Sequence, residues 1–289
     1  ELQQAAIRGA KTGIFDLKYQ VGAWGKLSLI VVGQDMKDAN FKSRAETLKY
    51  AQELRKEFGV AAGGVIELKN VTIPLVVAKE AAIQSKDVTA LRGTANETLD
   101  LTFRVENDLR IRAAIIVDHK PAGLETRTAV INYAEKLAMD FNAVPGAKIQ
   151  LRDLTVERRL DQDTRPENFD VTFRVDGNGR VNALEIVERG PLSFSGRDGA
   201  LGHVQGLARD FKALPEAGIM LRDVTIGLDA VPEKREQFEL TFRVGMEGRI
   251  EAVSIIDRTA LHALSRAEAV ERIRQLARDF HAAPDARIA

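Results

Sequence analysis

Four stretches of the chain alternate apolar and polar residues over seven positions. The run FDLKYQV ends at Val21, and the similar runs LDLTFRV, FDVTFRV and FELTFRV end at Val105, Val175 and Val244. A period of two residues is typical of a strand with one buried face. The last three valines lie 70 and 69 residues apart, so the pattern indicates an internal repeat of about 70 residues.

A second strand is predicted shortly after each of these runs. A basic residue stands five positions after each closing valine, and the letters in between include DGNG and GMEG, which favour tight turns. The segments that follow, such as RIRAAIIV, are apolar almost throughout, as in a strand inside a sheet. Each repeat is therefore expected to begin with a β-hairpin.

An amphipathic helix is predicted next, because a leucine stands four residues before a phenylalanine and further apolar residues stand seven and ten before it. The phenylalanines are Phe58, Phe141, Phe211 and Phe280. An arginine stands fourteen residues before each of them: Arg44, Arg127, Arg197 and Arg266. Ser43, Thr126 and Ser265 precede three of these arginines and are candidate N-caps.

A third strand follows the helix, with the letters VIELKNVTI, KIQLRDLTV and GIMLRDVTI. Its alternation slips by one residue in the middle, which predicts a β-bulge. These elements predict an α+β fold of tandem hairpin–helix–strand units, each a small antiparallel sheet with one helix packed on it. Stacked units and nearly independent units joined by short linkers both fit the pattern.

The predicted units have the following bounds. The first covers residues 1–98 and carries an insertion near 82–94, the second covers 99–168, and the third covers 169–237. The fourth covers 238–289 and is truncated before its last strand. A unit with three strands and one helix leaves one sheet face or edge uncovered, so we expect that surface to contact a neighbouring unit or a partner.

The overall charge argues against a partner that is bound by charge alone. Lys plus Arg and Asp plus Glu number 42 each, whereas a phosphate-binding array is expected to be clearly basic. Without cysteine, thiol chemistry and thiolate metal sites are excluded. No apolar run of bilayer-spanning length is present, so no membrane contact is predicted. The sequence indicates no particular compartment.

Basic residues at the predicted hairpin tips are the candidate contact residues. They recur at one repeat position and could follow a row of phosphates: Lys26, Arg110, Arg180 and Arg249. Nucleic acid is therefore a possible partner, although the neutral charge disfavours it.

Acidic residues directly before the phenylalanines are candidates for structural ion pairs. Glu57, Asp140, Asp210 and Asp279 stand at the C-terminus of a predicted helix, where the helix dipole disfavours negative charge. We expect a compensating cation, which is either the basic residue of the bulge (Lys69, Arg152 or Arg222) or an arginine at a helix start. A ligand-binding role for the same residues is the alternative.

No catalytic residue, cofactor site or metal ligand is predicted. The four histidines stand at different repeat positions, and no HExxH spacing accompanies them. The glycines in RGPLSFSGRDGALG do not form a GxxxxGK[ST] phosphate loop, so a flexible loop is the preferred interpretation. An unrepeated function is expected, if anywhere, in the insertion near 82–94 or in the loop 190–199.

These observations favour a non-catalytic repeat scaffold or protein-interaction region of a larger multidomain protein. Its partner is expected to be another protein or a second copy of itself, since linked weak sites bind together more strongly than one site. The alternative is a nucleic-acid-binding repeat array that uses the basic hairpin tips. An enzyme is not expected.

Overall fold

A computed structural model describes residues 15–21, 27–36, 40–74, 96–121, 124–160, 163–228, 231–259 and 265–289. The predicted insertion near 82–94 and the candidate contact residue Lys26 lie outside these residues. The described residues are mostly β, with thirteen strands and four helices.

Within the described ranges, the element order is two strands, a helix and a strand, four times over, with one additional short strand. The strands are β1 (Phe15–Val21), β2 (Leu27–Asp35), β3 (Val65–Pro74), β4 (Asn96–Val105), β5 (Ile111–Asp118), β6 (Lys148–Leu160), β7 (Asp163–Val175), β8 (Val181–Glu188), β9 (Leu192–Phe194), β10 (Gly218–Leu228), β11 (Val231–Val244), β12 (Ile250–Asp257) and β13 (Ala282–Ile288). The helices are α1 (Arg44–Phe58), α2 (Arg127–Asp140), α3 (Arg197–Asp210) and α4 (Arg266–Asp279).

The described strands form one mixed sheet of thirteen strands, in the order β1-β2-β3-β4-β5-β6-β7-β8-β10-β11-β12-β13, with β9 beside β10. The prediction of an α+β chain of small antiparallel sheets, each with its own helix, is therefore wrong. The reason is that the strand after a helix has two neighbours. It pairs in parallel with the preceding strand, as β3 does with β2, and antiparallel with the following one, as β3 does with β4.

The polar segment GLDAVPEKREQ is a second case in which the composition favours a linker and the structure has paired strands. It has the composition of a linker, but its described residues, 227–228 and 231–237, belong to β10 and β11, whose pairing extends to Leu228 opposite Val231. Ladder hydrogen bonds join backbone groups, so a polar sequence can continue a strand pair beyond the apolar core.

The chain forms two compact units. One comprises Glu1–Ala122 with Lys136–Ile149, and the other comprises Gly123–Glu135 with Gln150–Ala289. In the first unit, Phe103 of β4 packs against Phe141 with ring centres 6.1 Å apart. In the second unit, the rings of Phe169 and Phe173 pack 5.6 and 6.2 Å from Phe211.

One sheet face in each unit carries the core, and the opposite face does not. Along β4, Leu99, Leu101 and Phe103 are buried, whereas the intervening Thr102 and the following Arg104 are not. The same alternation holds along β7 in the second unit. The helices therefore cover one face, and the other face is left with partly exposed side chains.

The predicted bulge in the third strand is confirmed. The register of β3 shifts between Leu68 and Val71, and that of β10 shifts between Leu221 and Val224. Asn70, inside the first shift, has a φ of 55°, and its backbone N–H donates to Asp100 Oδ1 at 2.8 Å. A side chain of the next strand thus satisfies a backbone group that the bulge removes from the ladder.

The helix caps divide the helices into two kinds. Ser43 accepts a hydrogen bond from the N–H of Glu46 at the start of α1, and Ser265 forms a reciprocal capping box with Glu268 at the start of α4. The hydrogen bonds from Ser265 lower the pKa of Glu268. α3 instead begins after Gly196, which makes no side-chain cap. The helix that departs from the capping pattern is also the one that borders the site described next.

Candidate functional site

The described candidate contact residues lie at three separate hairpin turns. Arg110, Arg180 and Arg249 are all exposed. The guanidinium of Arg110 lies 3.7 Å from Asp108, and that of Arg249 lies 3.2 Å from Glu247. An acidic neighbour in the same turn weakens the field that an arginine offers to a phosphate.

Each aspartate at the end of a helix lies beside an arginine at the start of another helix. Arg44 Nη1 lies 2.6 Å from Asp140 Oδ2, and Arg127 Nη1 lies 2.8 Å from Asp210 Oδ2. Arg197 contacts Asp279 in the same way. The C-terminus of a helix dipole is negative, and so is an aspartate at that end. The guanidinium supplies the positive charge that compensates both.

The bulge bases Arg152 and Arg222 are placed differently. Both side chains are exposed, and the described hydrogen bond of Arg152 goes to Gln150 Oε1 at 3.3 Å. Of the two kinds of cation that the sequence offered to the aspartates, the contacts join them to the arginines at helix starts.

A buried glutamate completes each arginine cluster, and the sequence analysis missed it. Glu97, Glu167 and Glu236 stand eight residues before a closing valine and are between 1% and 7% exposed. The guanidinium nitrogens of Arg127 lie 2.8 to 3.1 Å from both carboxylate oxygens of Glu167. A repeated acid at an inward strand position was the available signal, because a buried carboxylate requires a cation.

A second buried contact recurs six residues into the helices, and its chemistry changes from helix to helix. Tyr50 of α1 donates to Gln34 Oε1 at 2.7 Å. Arg272 of α4 donates through Nε to Asp257 Oδ2 at 2.7 Å and through Nη1 to Glu236 at 3.0 Å. In α3 the position is His203.

Two of these residues have shifted pKa values. Burial raises the pKa of Tyr50, although its hydrogen bond to Gln34 acts in the opposite direction. Burial lowers the pKa of Arg272, but hydrogen bonds and charge attraction from Asp257 and Glu236 outweigh it and leave that pKa raised.

His203 lies between two buried carboxylates. Its Nε2 lies 2.6 Å from Glu188 Oε2, and both side chains are at most 3% exposed. One ligand atom each from Glu167, Glu188 and His203 lie within 4.8 Å of one another. The other oxygen of Glu188, Oε1, is buried without a hydrogen-bond partner among the described residues. Nitrogen and carboxylate oxygen donors together make a set that can hold a metal ion.

A groove of about 840 Å³ opens onto this cluster in the second unit. Both Glu167 and His203 line it, together with Phe194 of β9, whose ring centre lies 5.4 Å from that of His203. Three glycines of α3 also line it: Gly199, Gly202 and Gly206. The loop in which the sequence analysis placed a possible unrepeated function thus forms one wall of the groove.

A different groove, of about 710 Å³, lies in the first unit. Its lining includes Lys49, Lys56, Arg110 and Arg112, with Glu53 as the acidic member. Lys49 and Glu53 lie 3.9 Å apart on the exposed side of α1. The groove therefore carries an excess of positive charge, although the chain as a whole is neutral.

A scan against protein-family models finds none that matches this chain, and a search of curated proteins finds no match either. None of the helices in the described ranges combines the length and the apolar character needed to cross a bilayer.

Proposed function

We propose that this chain is a non-catalytic protein-interaction region of a larger multidomain protein, and that it binds protein through the sheet face opposite the helices. The observation that carries the proposal is the uncovered sheet face in each unit. Apolar side chains lie on it between polar ones, although the helices already provide a core on the other side.

The apolar residues of this face occupy matching places in the sheet. Ile115 of β5 is 38% exposed and pairs with Thr102, and Val117 pairs with Asp100. In the second unit, Val187 pairs with Asp170 and Ile256 pairs with Glu239. In the register of the paired strands, each of these apolar residues therefore stands opposite a polar one.

A protein partner that covers this face is energetically favoured over leaving the face exposed to water. Antiparallel strand pairs tolerate a wet face when it is polar, but β-branched apolar residues there gain nothing from solvent. A partner that covers them adds apolar burial, and the neighbouring threonine and acidic side chains supply hydrogen-bonding groups at the rim.

The test is comparative affinity capture from extracts of the cells that produce the protein. The sheet-face variant carries Val187→Glu with Ile256→Glu, and the matched control carries Val270→Glu with Ile273→Glu on the exposed side of α4. We expect a set of proteins that wild type and control retain and the sheet-face variant releases. Identical sets for all three proteins contradict the proposal, provided that circular dichroism shows all three folded.

The basic groove of the first unit supports nucleic-acid binding as the second candidate function. Four cations around one acid form a local field that can attract phosphates independently of net charge. Fluorescence anisotropy with mixed-sequence duplex and single strands, at low and near-physiological salt, tests it. Steeply salt-dependent binding that Arg110→Glu with Arg112→Glu removes, and Arg180→Glu leaves intact, favours this function over the first.

A further inference from the structure

The cluster of Glu167, Glu188 and His203 has a histidine at the position where its counterpart on α4 has an arginine. In that counterpart, Glu236 and Asp257 receive the guanidinium of Arg272 in addition to that of Arg197. At the α3 cluster Arg127 binds Glu167, and His203, at the position of Arg272, contacts Glu188. A histidine side chain is not permanently charged as an arginine is, and burying a carboxylate without a compensating charge is unfavourable.

Glu188 carries the unsatisfied oxygen of the cluster. Its side chain is 1% exposed, one carboxylate oxygen contacts His203, and the other is buried without a hydrogen-bond partner among the described residues. Native proteins satisfy nearly all buried polar atoms, so a buried carboxylate oxygen without a partner points to a ligand.

The glycines of α3 give that ligand a route from solvent. Gly199, Gly202 and Gly206 stand at intervals of three and four residues, which places them on one side of the helix. A Cβ atom added at Gly202 or Gly206 would meet no atom within 4 Å. Packing therefore does not require glycine there, yet each glycine lowers helix propensity relative to alanine.

We propose that Glu167, Glu188 and His203 bind one divalent transition-metal ion of the Zn²⁺ type, with the fourth coordination position directed into the groove. An imidazole with two carboxylates is a donor set for borderline metals, whereas Mg²⁺ prefers oxygen ligands and retains its waters. This assignment goes beyond the interaction role proposed above and does not depend on it.

Small movements convert the cluster into a coordination site. Ligand atoms of a tetrahedral site with bonds of about 2.0 Å lie roughly 3.3 Å apart. His203 Nε2 and Glu188 Oε2, now 2.6 Å apart, must therefore separate slightly, whereas ligand atoms that are up to 4.8 Å apart must approach. The proton that His203 and Glu188 share in their hydrogen bond passes to solvent, and Nε2 and the Glu188 carboxylate then bind the ion. Arg127 keeps its bonds to Glu167 and so orients that ligand.

The experiment is isothermal titration of the full chain with Zn²⁺, repeated with Co²⁺ to use its visible absorption and with Mg²⁺ as a negative probe. We expect one Zn²⁺ per chain and a higher melting temperature with Zn²⁺. His203→Arg reproduces the arrangement of Arg272 and should fold normally while losing the Zn²⁺ response. Glu188→Gln should lose it as well.

His119→Ala is the matched control, because His119 also pairs with a carboxylate, Asp100 at 2.9 Å, but its side chain is 37% exposed. It should retain the Zn²⁺ response of wild type. Absence of saturable Zn²⁺ binding by wild type overturns the proposal, and so does equal binding by a folded His203→Arg protein. Loss of binding in His119→Ala alone also overturns it, since the ion would then be bound elsewhere.

Discussion

The clusters at α3 and α4 share one geometry and differ in the source of positive charge. In both, an arginine from the preceding helix binds a buried glutamate, and the residue six positions into the helix contacts the acid at the end of a strand. α4 uses Arg272, whose charge is permanent, and α3 uses His203. The sheet and helices therefore fix a place for a cation, while a single residue decides whether that cation is exchangeable.

The solvent-facing sides of α3 and α4 also differ, because α3 carries glycines where α4 carries polar side chains. Where α3 has glycines, α4 has Glu268, Glu271 and Gln275 at the corresponding positions. These side chains make local contacts, including the capping box of Glu268 and a contact of Glu271 with Arg278 that lowers the pKa of Glu271. One helix is thus covered by its own charged residues, whereas the other leaves its buried cluster open to the groove.

Removing the permanent cation should have the largest effect. Arg272→Ala leaves Asp257, 8% exposed, without its guanidinium, and breaking a buried ion pair by removing one partner costs about 3 to 5 kcal/mol. We expect a loss of that order in the free energy of unfolding, measured by guanidinium denaturation. Arg274→Ala is the control on the same helix. Its side chain is 66% exposed, so its loss should cost less than about 0.5 kcal/mol.

The substitutions of His203 come next and probe the α3 cluster directly. His203→Leu leaves buried Glu188 without a polar partner and should cost about 2 to 3 kcal/mol. His203→Arg supplies a guanidinium as in α4, so it should be clearly more stable than His203→Leu in the same denaturation experiment. If the leucine variant is the more stable of the two, the cluster does not require a cation and the comparison with α4 fails.

Filling the bare side of α3 should have a smaller effect of the opposite sign. Gly202→Ala with Gly206→Ala should raise the free energy of unfolding by about 1 to 2 kcal/mol, because alanine favours helix and finds open space at both positions. Gly248→Ala is the contrasting control. Gly248 has a φ of 74°, so alanine should destabilise by about 1 kcal/mol. Destabilisation by the helix pair would mean that the glycines serve packing.

The local sequence pattern predicted the helices and the bulge, but it did not predict how the strands assemble into one sheet. The leucine and phenylalanine spacing located the four helices of the described residues, and the slip in the third strand located its bulge. Sheet membership was missed because the pairing of β3 with β4 joins segments that the repeat assigned to different units. A repeat length reveals which residues are equivalent, but it does not reveal which neighbour a strand edge pairs with.

The α3 cluster was missed for a related reason. Repeat positions draw attention to residues that are alike, such as Asp140 and Asp210, whereas His203 stands where other segments have tyrosine or arginine. Its importance follows from the buried Glu167 and Glu188, which come from two different strands. A histidine that replaces an arginine at an inward helix position was the available signal, and only the sheet register reveals the two acids beside it.

The uncharged version of the same contact, in the first unit, should give the smallest effect and a characteristic pH dependence. Tyr50→Phe removes the hydrogen bond to the buried Gln34 and should cost about 1 kcal/mol at neutral pH. Burial raises the pKa of Tyr50, so the folded state holds the phenol proton more tightly than the unfolded state. That contribution is complete below the unfolded pKa of about 10 and is lost as the pH rises through the folded value.

Wild type should therefore lose more stability than Tyr50→Phe between pH 7 and a pH above about 10, measured by urea denaturation. The exposed Tyr19 supplies the control: Tyr19→Phe should track wild type at both pH values. Equal losses in the free energy of unfolding for wild type and Tyr50→Phe would mean that folding does not place the phenol in a less polar environment. The contact between Tyr50 and Gln34 would then not be a stabilising feature of this helix position.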